Sequence, residues 1–393
     1  MDASSAPRAK AGPIHPLLRS SAEYPFVKLQ NRRVALAPAG LPIIDFGMGD
    51  PRGETPAFIR DTLRASLPAV SSYPATVGKP ELREACARWV QRRFGVSVDP
   101  DRHVLPANGT KEAVFLLAFA ASDPAGGRDT VVIPSPAYPV YESGARYAGC
   151  TPHLVPLRSE DGWRFDPARV PAEVWSRTAL LWLNSPHNPT GAVTSREEGA
   201  RIASFAREHG FWVVSDEAYS DLWYESGPPP SLLEHGLDNV VAMFTLSKRS
   251  AMTGYRSGFM VGDERLIDAL RRFRPNAGVA TPDFVQDAAI AAWNDDAHTA
   301  EQRRGYGEKR ELFRELFARR GWRVEASEAT FYLWMAAPNG DDVAFVESLL
   351  RLGIVTTPGS YLGAGGEGFV RWALVPTTEQ CRAAIARIEE AGL

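Results

Sequence analysis

Three side chains that can do chemistry each follow a short apolar segment: the amide of Asn188, the carboxylate of Asp216 and the amine of Lys248. The apolar segments are Leu180–Leu183, Phe211–Val214 and Val240–Phe244. Each interval between the three side chains has the length of one strand–helix–strand crossover. Because the carboxyl ends of parallel strands line the crevice where ligands bind, we expect these groups to meet around one small molecule.

Lys248 makes the most specific prediction, because it is the only lysine between positions 112 and 308. A partly desolvated amine loses its proton more readily than a free lysine, whose pKa is about 10.4, and it can form a Schiff base with an aldehyde. Asp216 can hold a protonated ring nitrogen, while Tyr219 and Asn188 can donate hydrogen bonds to a phenolate oxygen. These are the electronic controls that the ring of pyridoxal 5'-phosphate requires, so the sequence predicts this cofactor.

A phosphate group also needs a binding site, and the sequence offers one. Gly109 and Thr110 precede the predicted helix Lys111–Ala120, so free backbone N–H groups and the helix dipole are expected to point at an anion. Arg256 and Thr245 flank Lys248 in the sequence and add a positive charge and a hydroxyl. One cofactor thus accounts for several otherwise unrelated motifs.

The elements that must position these groups alternate between strands and helices. Apolar strands separated by helices predict an α/β fold with a mostly parallel central sheet and helices on both faces. Further predicted strands of this sheet are Thr130–Ile133 and Gly258–Val261, and predicted helices are Thr55–Leu67, Pro80–Phe94 and Ser195–His209. After residue 281 the predicted helices are Asp283–Trp293, His298–Arg320 and Thr378–Ala391, and the predicted strands are Thr330–Met335, Ile354–Thr356 and Phe369–Leu374.

This change of pattern divides the chain of 393 residues. We predict a large cofactor-binding domain at 51–280 and a smaller α+β domain built from 21–50 and 281–393. Residues 1–20 are expected to form a flexible arm in which prolines prevent a helix.

Composition excludes several functional classes. A net charge of −3 gives no general attraction to nucleic acid or acidic membranes. Three cysteines far apart argue against a disulfide framework, and the seven histidines lack the spacing of metal ligands. No secretory signal and no run of about 18 apolar residues occurs, so a cytoplasmic location is predicted. Neither a Walker loop nor a dinucleotide-binding glycine motif is present.

Three motifs together resemble the class I/II aminotransferases of fold type I, and the likeness runs from about Tyr24 to the end of the chain. The motifs are Asn188-Pro189-Thr190-Gly191, Asp216-x-x-Tyr219 and Thr245-x-Ser247-Lys248 followed by Arg256. The resemblance implies a pyridoxal-phosphate-dependent transaminase that moves an amino group between an amino acid and 2-oxoglutarate. Its mechanism would be ping-pong, with Lys248 as the catalytic Schiff-base former.

The same resemblance implies further site residues. Tyr138 matches the aromatic residue that stacks on the cofactor ring. Tyr73 matches a tyrosine that reaches the phosphate of the partner subunit, which implies a homodimer with shared active sites. Arg371 matches the arginine that grips the substrate α-carboxylate, with Gly49 and Asn188 beside it.

Within this family the chain is most similar to the succinyldiaminopimelate aminotransferases of lysine biosynthesis. The segments that carry this likeness are Tyr24–Leu29, Leu246–Ser250, Thr253–Gly258 and Ala291–Asp295. The implied donor is N-succinyl-LL-2,6-diaminopimelate, and an aspartate- or alanine-type aminotransferase is the alternative. One departure is Ala329, where relatives carry glycine before the aromatic pair.

Two other functional classes are less favoured by the sequence. Carbon–sulfur β-lyases and oxoamine synthases on the same cofactor carry histidine where this chain has Tyr219, so they are less favoured. A transcriptional regulator with an aminotransferase-like domain would need a DNA-binding domain, and the residues before Ser21 are too few to form one.

Overall fold

The computed structural model describes residues 12–20, 25–36, 40–277 and 281–393. Its helices are α1 (Pro16–Ser20), α2 (Pro25–Leu36), α3 (Ala57–Ala65), α4 (Pro80–Phe94), α5 (Thr110–Ala121), α6 (Val140–Tyr147), α7 (Ala172–Trp175), α8 (Arg196–His209), α9 (Leu246–Arg249), α10 (Glu264–Ala277), α11 (Asp283–Asn294), α12 (Ala297–Arg320), α13 (Asp342–Arg351) and α14 (Thr378–Glu390). Its strands are β1 (Ile44–Asp45), β2 (Val104–Ala107), β3 (Thr130–Ser135), β4 (Thr151–Pro156), β5 (Thr178–Asn184), β6 (Trp212–Asp216), β7 (Val240–Thr245), β8 (Gly258–Gly262), β9 (Val324–Glu325), β10 (Tyr332–Ala336), β11 (Ile354–Val355), β12 (Thr357–Pro358) and β13 (Phe369–Ala373).

The largest sheet has seven strands in the order β2-β8-β7-β6-β5-β3-β4. The pairs from β7 to β4 are parallel, whereas β8 runs antiparallel to both β7 and β2. The connection from β7 to β8 contains only the four-residue helix α9 and a 3-10 turn, and not the longer helix that usually crosses between parallel strands. The predicted α/β fold with a mostly parallel sheet is therefore confirmed.

This sheet is buried on both faces, which explains why its strands are apolar throughout. Val213 of β6 belongs to a core cluster that also contains Trp89 of α4 and Trp293 of α11. The next residue, Val214, belongs to the cluster on the opposite face, together with Leu117 of α5. Side chains that alternate between two cores fix the register of β6 and hence the position of the residue at its end.

Helix α4 has the predicted bounds, and α8 begins one residue after the predicted start at Ser195. Ser195 caps α8 by accepting a hydrogen bond from the backbone N–H of Glu198. The prediction that prolines prevent a helix before residue 20 was wrong for α1, because Pro16 occupies its first turn, where no N–H is needed. The rest of the predicted arm, residues 1–11, lies outside the described residues.

A second sheet follows residue 320 and is antiparallel, in the order β12-β13-β10-β9. A separate parallel pair joins β1 to β11, so the segment before residue 50 packs with the C-terminal part of the chain. Helix α11, which falls in the predicted small domain, packs instead with the core that contains α4. The exact domain boundaries stay a prediction.

Across the four described ranges, no helix combines the length and the apolar character that a membrane span requires.

Candidate active site

The carboxyl ends of β5, β6 and β7 lie side by side, as the sequence predicts. Asn184 at the end of β5 is the register partner of Asp216 at the end of β6, and Asp216 is in turn the partner of Met243 in β7. Thr245 ends β7, and its Oγ1 accepts the backbone N–H of Ser247 at 3.1 Å. This cap starts the short helix α9 and brings Lys248 to the same edge of the sheet.

The amine of Lys248 points into the site, where Nζ donates to the backbone oxygen of Gly49 at 2.5 Å. Burial lowers the pKa of Lys248 to about 8. This value is the net result, because the guanidinium groups of Arg371 and Arg256 act in the same direction as burial, while the carboxylates of Asp50 and Asp216 oppose them. At neutral pH a larger fraction of Lys248 is therefore unprotonated than of a free lysine, and this fraction can act as a base or a nucleophile.

Two hydrogen bonds hold the carboxylate of Asp216, and a third holds its backbone. Its Oδ2 accepts the hydroxyl of Tyr141 at 2.7 Å, and its Oδ1 accepts the backbone N–H of Ala218 at 3.2 Å. The side-chain amide of Asn184 donates to the backbone oxygen of Asp216 at 2.7 Å. Burial raises the pKa of Asp216, and the hydrogen bond from Tyr141 opposes that rise. A buried carboxylate of this kind needs a cationic partner in the cavity.

Arg371 lies at the other side of the site, on β13, and is almost completely buried. Its Nη1 donates to Oδ1 of Asn188 at 3.0 Å, and its Nη2 donates to the backbone oxygen of Gly47 at 2.6 Å. The backbone N–H of Asn188 donates to Oδ1 of Asn184 at 2.8 Å, which ties the loop after β5 to the edge of the sheet. The guanidinium is therefore held by hydrogen bonds with its plane fixed, the arrangement that favours bidentate recognition of a carboxylate.

The N-terminus of α5 forms the anion-binding end of the site. Gly109 occupies the N-cap with φ of 76°, and no side chain caps the helix. A Cβ on Gly109 would lie 2.1 Å from Nη2 of Arg256, so only glycine fits at this point. Arg256 itself has φ of 55° and donates to the backbone oxygen of Thr253 at 2.8 Å. Uncapped backbone N–H groups and a guanidinium at one helix start suit a phosphate.

These groups surround one cavity of about 450 Å³. The predicted site residues on its wall are Gly49, Thr110, Tyr138, Asn188, Asp216, Tyr219, Thr245, Lys248, Arg256 and Arg371. Gly109 lies just behind the wall at the start of α5. Tyr73 does not line the cavity and is fully exposed, so its predicted role in a partner subunit stays a prediction.

Several wall residues were not predicted. Tyr141 lies three residues after Tyr138 on α6, and its ring stacks on Trp182 with centroids 4.5 Å apart. Tyr332 contacts the hydroxyl of Tyr219 at 3.0 Å. The spacing of three residues between Tyr138 and Tyr141, close to the start of a helix, is the sequence signal that points to Tyr141. For Tyr332 the only signal is its position in the aromatic pair with Phe331.

The arrangement combines four groups in one enclosed space: an amine with a lowered pKa, a buried acid, a fixed guanidinium and an anion-binding helix N-terminus. It can bind an anionic ring compound at one end and an α-carboxylate at the other. The amine lies between them, where it can exchange a proton with the bound substrate.

Comparison with known proteins gives a consistent result. A family model described as aminotransferase class I and II matches residues 42–388. The chain is 38% identical over 378 residues to the LL-diaminopimelate aminotransferase of Desulforudis audaxviator (strain MP104C), covering 94% of this chain and 96% of that protein. It is 39% identical over 381 residues to 4-dedimethylamino-4-oxo-anhydrotetracycline transaminase OxyQ of Streptomyces rimosus, covering 94% and 100%. A solved aminotransferase structure from Neisseria meningitidis Z2491 is similar with a TM-score of 0.89 and 34% identity, covering 96% of this chain and 100% of that one.

Proposed function

Because the chain belongs to the class I and II aminotransferases, fold-type I enzymes that use pyridoxal 5'-phosphate, we propose that it moves an amino group between N-succinyl-LL-2,6-diaminopimelate and 2-oxoglutarate. This reaction belongs to the biosynthesis of diaminopimelate and lysine. The observation that carries the proposal is the convergence of Lys248, Asp216 and Arg371 on one cavity.

The residues present fit the cofactor. The uncapped start of α5 and the space kept open by Gly109 next to Arg256 suit its phosphate. Lys248 would hold its aldehyde carbon, Asp216 its ring nitrogen, and Tyr219 its phenolate oxygen. When bound, pyridoxal phosphate supplies a carbonyl for covalent attachment of the amino group and a protonated ring that accepts electrons from the substrate.

Each chain residue then has a defined task. Arg371 binds the α-carboxylate of the amino acid and, in the second half-reaction, that of the oxo acid. Nζ of Lys248, with its pKa lowered to about 8, would take the proton from the substrate Cα and deliver it to C4′ of the cofactor. Asp216 stays ionised opposite a cationic ring nitrogen, which offsets the effect of its burial. One site that serves both substrates in turn gives ping-pong kinetics.

Two observations support the choice of the amino donor. The relative from Desulforudis audaxviator is named for LL-diaminopimelate, which shares its α-amino acid end with the succinylated compound. The motif likeness in the sequence favours the N-succinyl form. Free LL-diaminopimelate is therefore the closest alternative, followed by aspartate and alanine.

We also propose a homodimer with shared active sites. Tyr73 and the nearby Leu67 and Val70 are exposed apolar or aromatic side chains on one connection between α3 and α4. Cover by a second copy of the chain would remove them from water and bring Tyr73 to the neighbouring site. An active monomer in analytical ultracentrifugation would contradict this part of the proposal.

A panel of amino donors tests the substrate. The enzyme, loaded with pyridoxal phosphate, is assayed for glutamate formation from 2-oxoglutarate with N-succinyl-LL-diaminopimelate, LL-diaminopimelate, aspartate or alanine. We expect the highest kcat/KM for the succinylated donor, and the Lys248→Ala variant serves as the inactive control. A tenfold preference for any other donor would overturn the substrate assignment. Pyruvate and ammonia from cystathionine without an oxo acid would instead indicate a β-lyase.

A further inference from the structure

We propose that Tyr332 is a positioning residue that orders both ends of the site: its hydroxyl donates to Tyr219, and its ring supports the guanidinium of Arg371. This inference rests on the roles proposed above for Tyr219 and Arg371. Neither the motif comparison nor the family likeness assigns a role to Tyr332.

The contacts of Tyr332 join parts of the chain that are far apart in sequence. Its side chain is only 3% exposed and lines the cavity. The hydroxyl lies 3.0 Å from that of Tyr219, and the ring lies under Arg371 with Cζ 4.6 Å from the centroid. A Cβ on Gly49 would lie 1.9 Å from the Tyr332 hydroxyl, so this hydroxyl fills the space that glycine leaves.

The number of protons that Tyr219 and Tyr332 can donate determines which of the two phenols donates to the other. Each phenol has one proton to donate. If Tyr219 donates its proton into the cavity, towards a phenolate oxygen, then Tyr332 must be the donor to Tyr219. Burial raises the pKa of Tyr219 well above its ordinary value, so Tyr219 stays neutral and keeps its proton for donation. A donor behind it strengthens its own donation, because chains of hydrogen bonds polarise one another.

The contact between the Tyr332 ring and the guanidinium of Arg371 follows from the pairing of β10 with β13. Tyr332 is the register partner of Ala373, and Arg371 precedes Ala373 by two residues. Tyr332 and Arg371 are therefore diagonal neighbours on the same face of the sheet, within reach of an aromatic side chain. A ring against a buried guanidinium holds its plane and contributes a cation–π attraction.

The backbone before Tyr332 is strained in a way that serves this placement. Thr330 has φ of 72°, the left-handed region that a β-branched residue rarely adopts. Its Oγ1 accepts the backbone N–H of Tyr332 at 3.0 Å, and its own N–H donates to the backbone oxygen of Leu222 at 2.6 Å. Strain of this kind persists where surrounding contacts over-determine it, which is typical of functional sites.

Two substitutions separate the two contacts. Tyr332→Phe removes the hydroxyl and keeps the ring, whereas Tyr332→Leu removes both. In the holoenzyme of Tyr332→Phe we expect the pH midpoint of the cofactor's visible absorbance to rise by a few tenths of a pH unit, because weaker donation from Tyr219 leaves the phenolate oxygen more basic. Its KM for the amino donor should stay within about twofold. In Tyr332→Leu, the KM for donor and oxo acid should both rise about tenfold.

Tyr219→Phe and the double variant Tyr219→Phe/Tyr332→Phe complete a cycle. If Tyr332 acts through Tyr219, the double variant has the midpoint of Tyr219→Phe alone. Tyr224→Phe is the matched control: this partly buried tyrosine packs against the cluster that contains Tyr219 and Tyr332, and its hydroxyl donates to the backbone oxygen of Thr330 at 2.7 Å. Loss of this hydroxyl should leave the pH midpoint and the KM unchanged.

The outcomes are distinct. If Tyr219→Phe shifts the midpoint but Tyr332→Phe does not, the proposed donation from Tyr332 is wrong while the role of Tyr219 stands. If Tyr219→Phe causes no shift, the role proposed for Tyr219 fails and the inference built on it fails too. An unchanged KM in a folded Tyr332→Leu variant, checked by its melting temperature, would refute the support of Arg371.

Discussion

The lowered pKa of Lys248 predicts how fast the cofactor-free enzyme takes up pyridoxal phosphate at each pH. Only the neutral amine attacks an aldehyde. Because burial brings the pKa of Lys248 to about 8, the attachment rate should rise tenfold per pH unit up to about pH 8 and level off above it.

The magnitude follows from the size of the shift. At pH 7 a lysine with a pKa of about 8 is roughly 10% neutral, while a free lysine with a pKa of about 10.4 is roughly 0.04% neutral. The site should therefore hold a neutral amine about 250 times more often than a solvent-exposed lysine does. Arg371→Leu removes a cation that lowers this pKa, so we expect the midpoint of its rate profile to move upwards.

The assay follows the visible absorbance after cofactor-free enzyme is mixed with pyridoxal phosphate between pH 6 and 10, with N-acetyl-lysine as the reference in solution. Lys309 provides a matched control, because burial also lowers its pKa to about 8, yet its Nζ donates to the backbone oxygen of Pro376 away from the cavity. Lys309→Met should leave the rate profile unchanged. A midpoint near that of free lysine in the parent enzyme would refute the reasoning.

The lowered pKa of Lys248 also makes the stability of the cofactor-free enzyme depend on pH. Between about pH 8 and 10.4 the unfolded Lys248 binds a proton that the folded one does not, so the free energy of unfolding of the cofactor-free enzyme should rise with pH in this window. Below pH 8 the full cost of the buried ammonium is present. Lys248→Met should therefore stabilise the cofactor-free enzyme at pH 7 and have less effect at pH 10.

Three further predictions concern the surroundings of the site. Burial raises the pKa of Glu217 to about 7, so the folded protein holds this proton more tightly than the unfolded chain does. Above pH 7 the folded state therefore bears the full cost of ionising Glu217. Glu217→Gln should raise the melting temperature at pH 8 and change it little at pH 4. Gly109→Ala would place Cβ against Arg256 at a positive φ, so titration calorimetry should show cofactor binding weakened by at least about fivefold. Asp221 accepts Nε of the buried Arg249 at 2.6 Å and also pairs with Arg93, so Asp221→Asn should cost about 3 kcal/mol or more of unfolding free energy in urea. After this change only the half-exposed Asp296, among the described acidic residues, remains to pair with Arg249. An effect under about 1 kcal/mol would mean that the remaining contacts of Arg249 suffice.

The residues at the strand ends could be predicted because chemistry and position coincide in the sequence there. Asp216 and Lys248 directly follow apolar strands, and parallel topology brings such ends together. Tyr332 could not be predicted in this way, since its contact with Arg371 depends on the register of two antiparallel strands. Register is set by packing between distant segments and leaves no local signal.

Strands β2 and β4 are absent from the sequence-based prediction for related reasons. β2 contains Pro106, and β4 begins and ends near Pro152 and Pro156, which weakens any pattern-based strand prediction. β4 is also an edge strand whose side chains are mostly exposed or half-buried, so it lacks the apolar run that marks its neighbours. Element bounds elsewhere differ by one to three residues, because strand ends depend on partners that the sequence does not reveal.

The charge on the cavity wall explains why a protein with a net charge of −3 can attract anionic ligands. Among the described residues that line it, the cationic side chains are Lys111, Lys248, Arg256 and Arg371, and the acidic ones are Asp50 and Asp216. A cleft with low-dielectric walls focuses this local excess, so the field at its mouth differs from that of the whole surface. In the proposed roles, Arg256 serves the phosphate end, where Lys111 also lies in the first turn of α5, and Arg371 serves the α-carboxylate end. The described part of the wall then has no further arginine or lysine for the distal carboxylate of 2-oxoglutarate or of a succinyl group. A counter-charge for that group would then come from outside the wall, and the homodimer proposed above is an arrangement that can supply one.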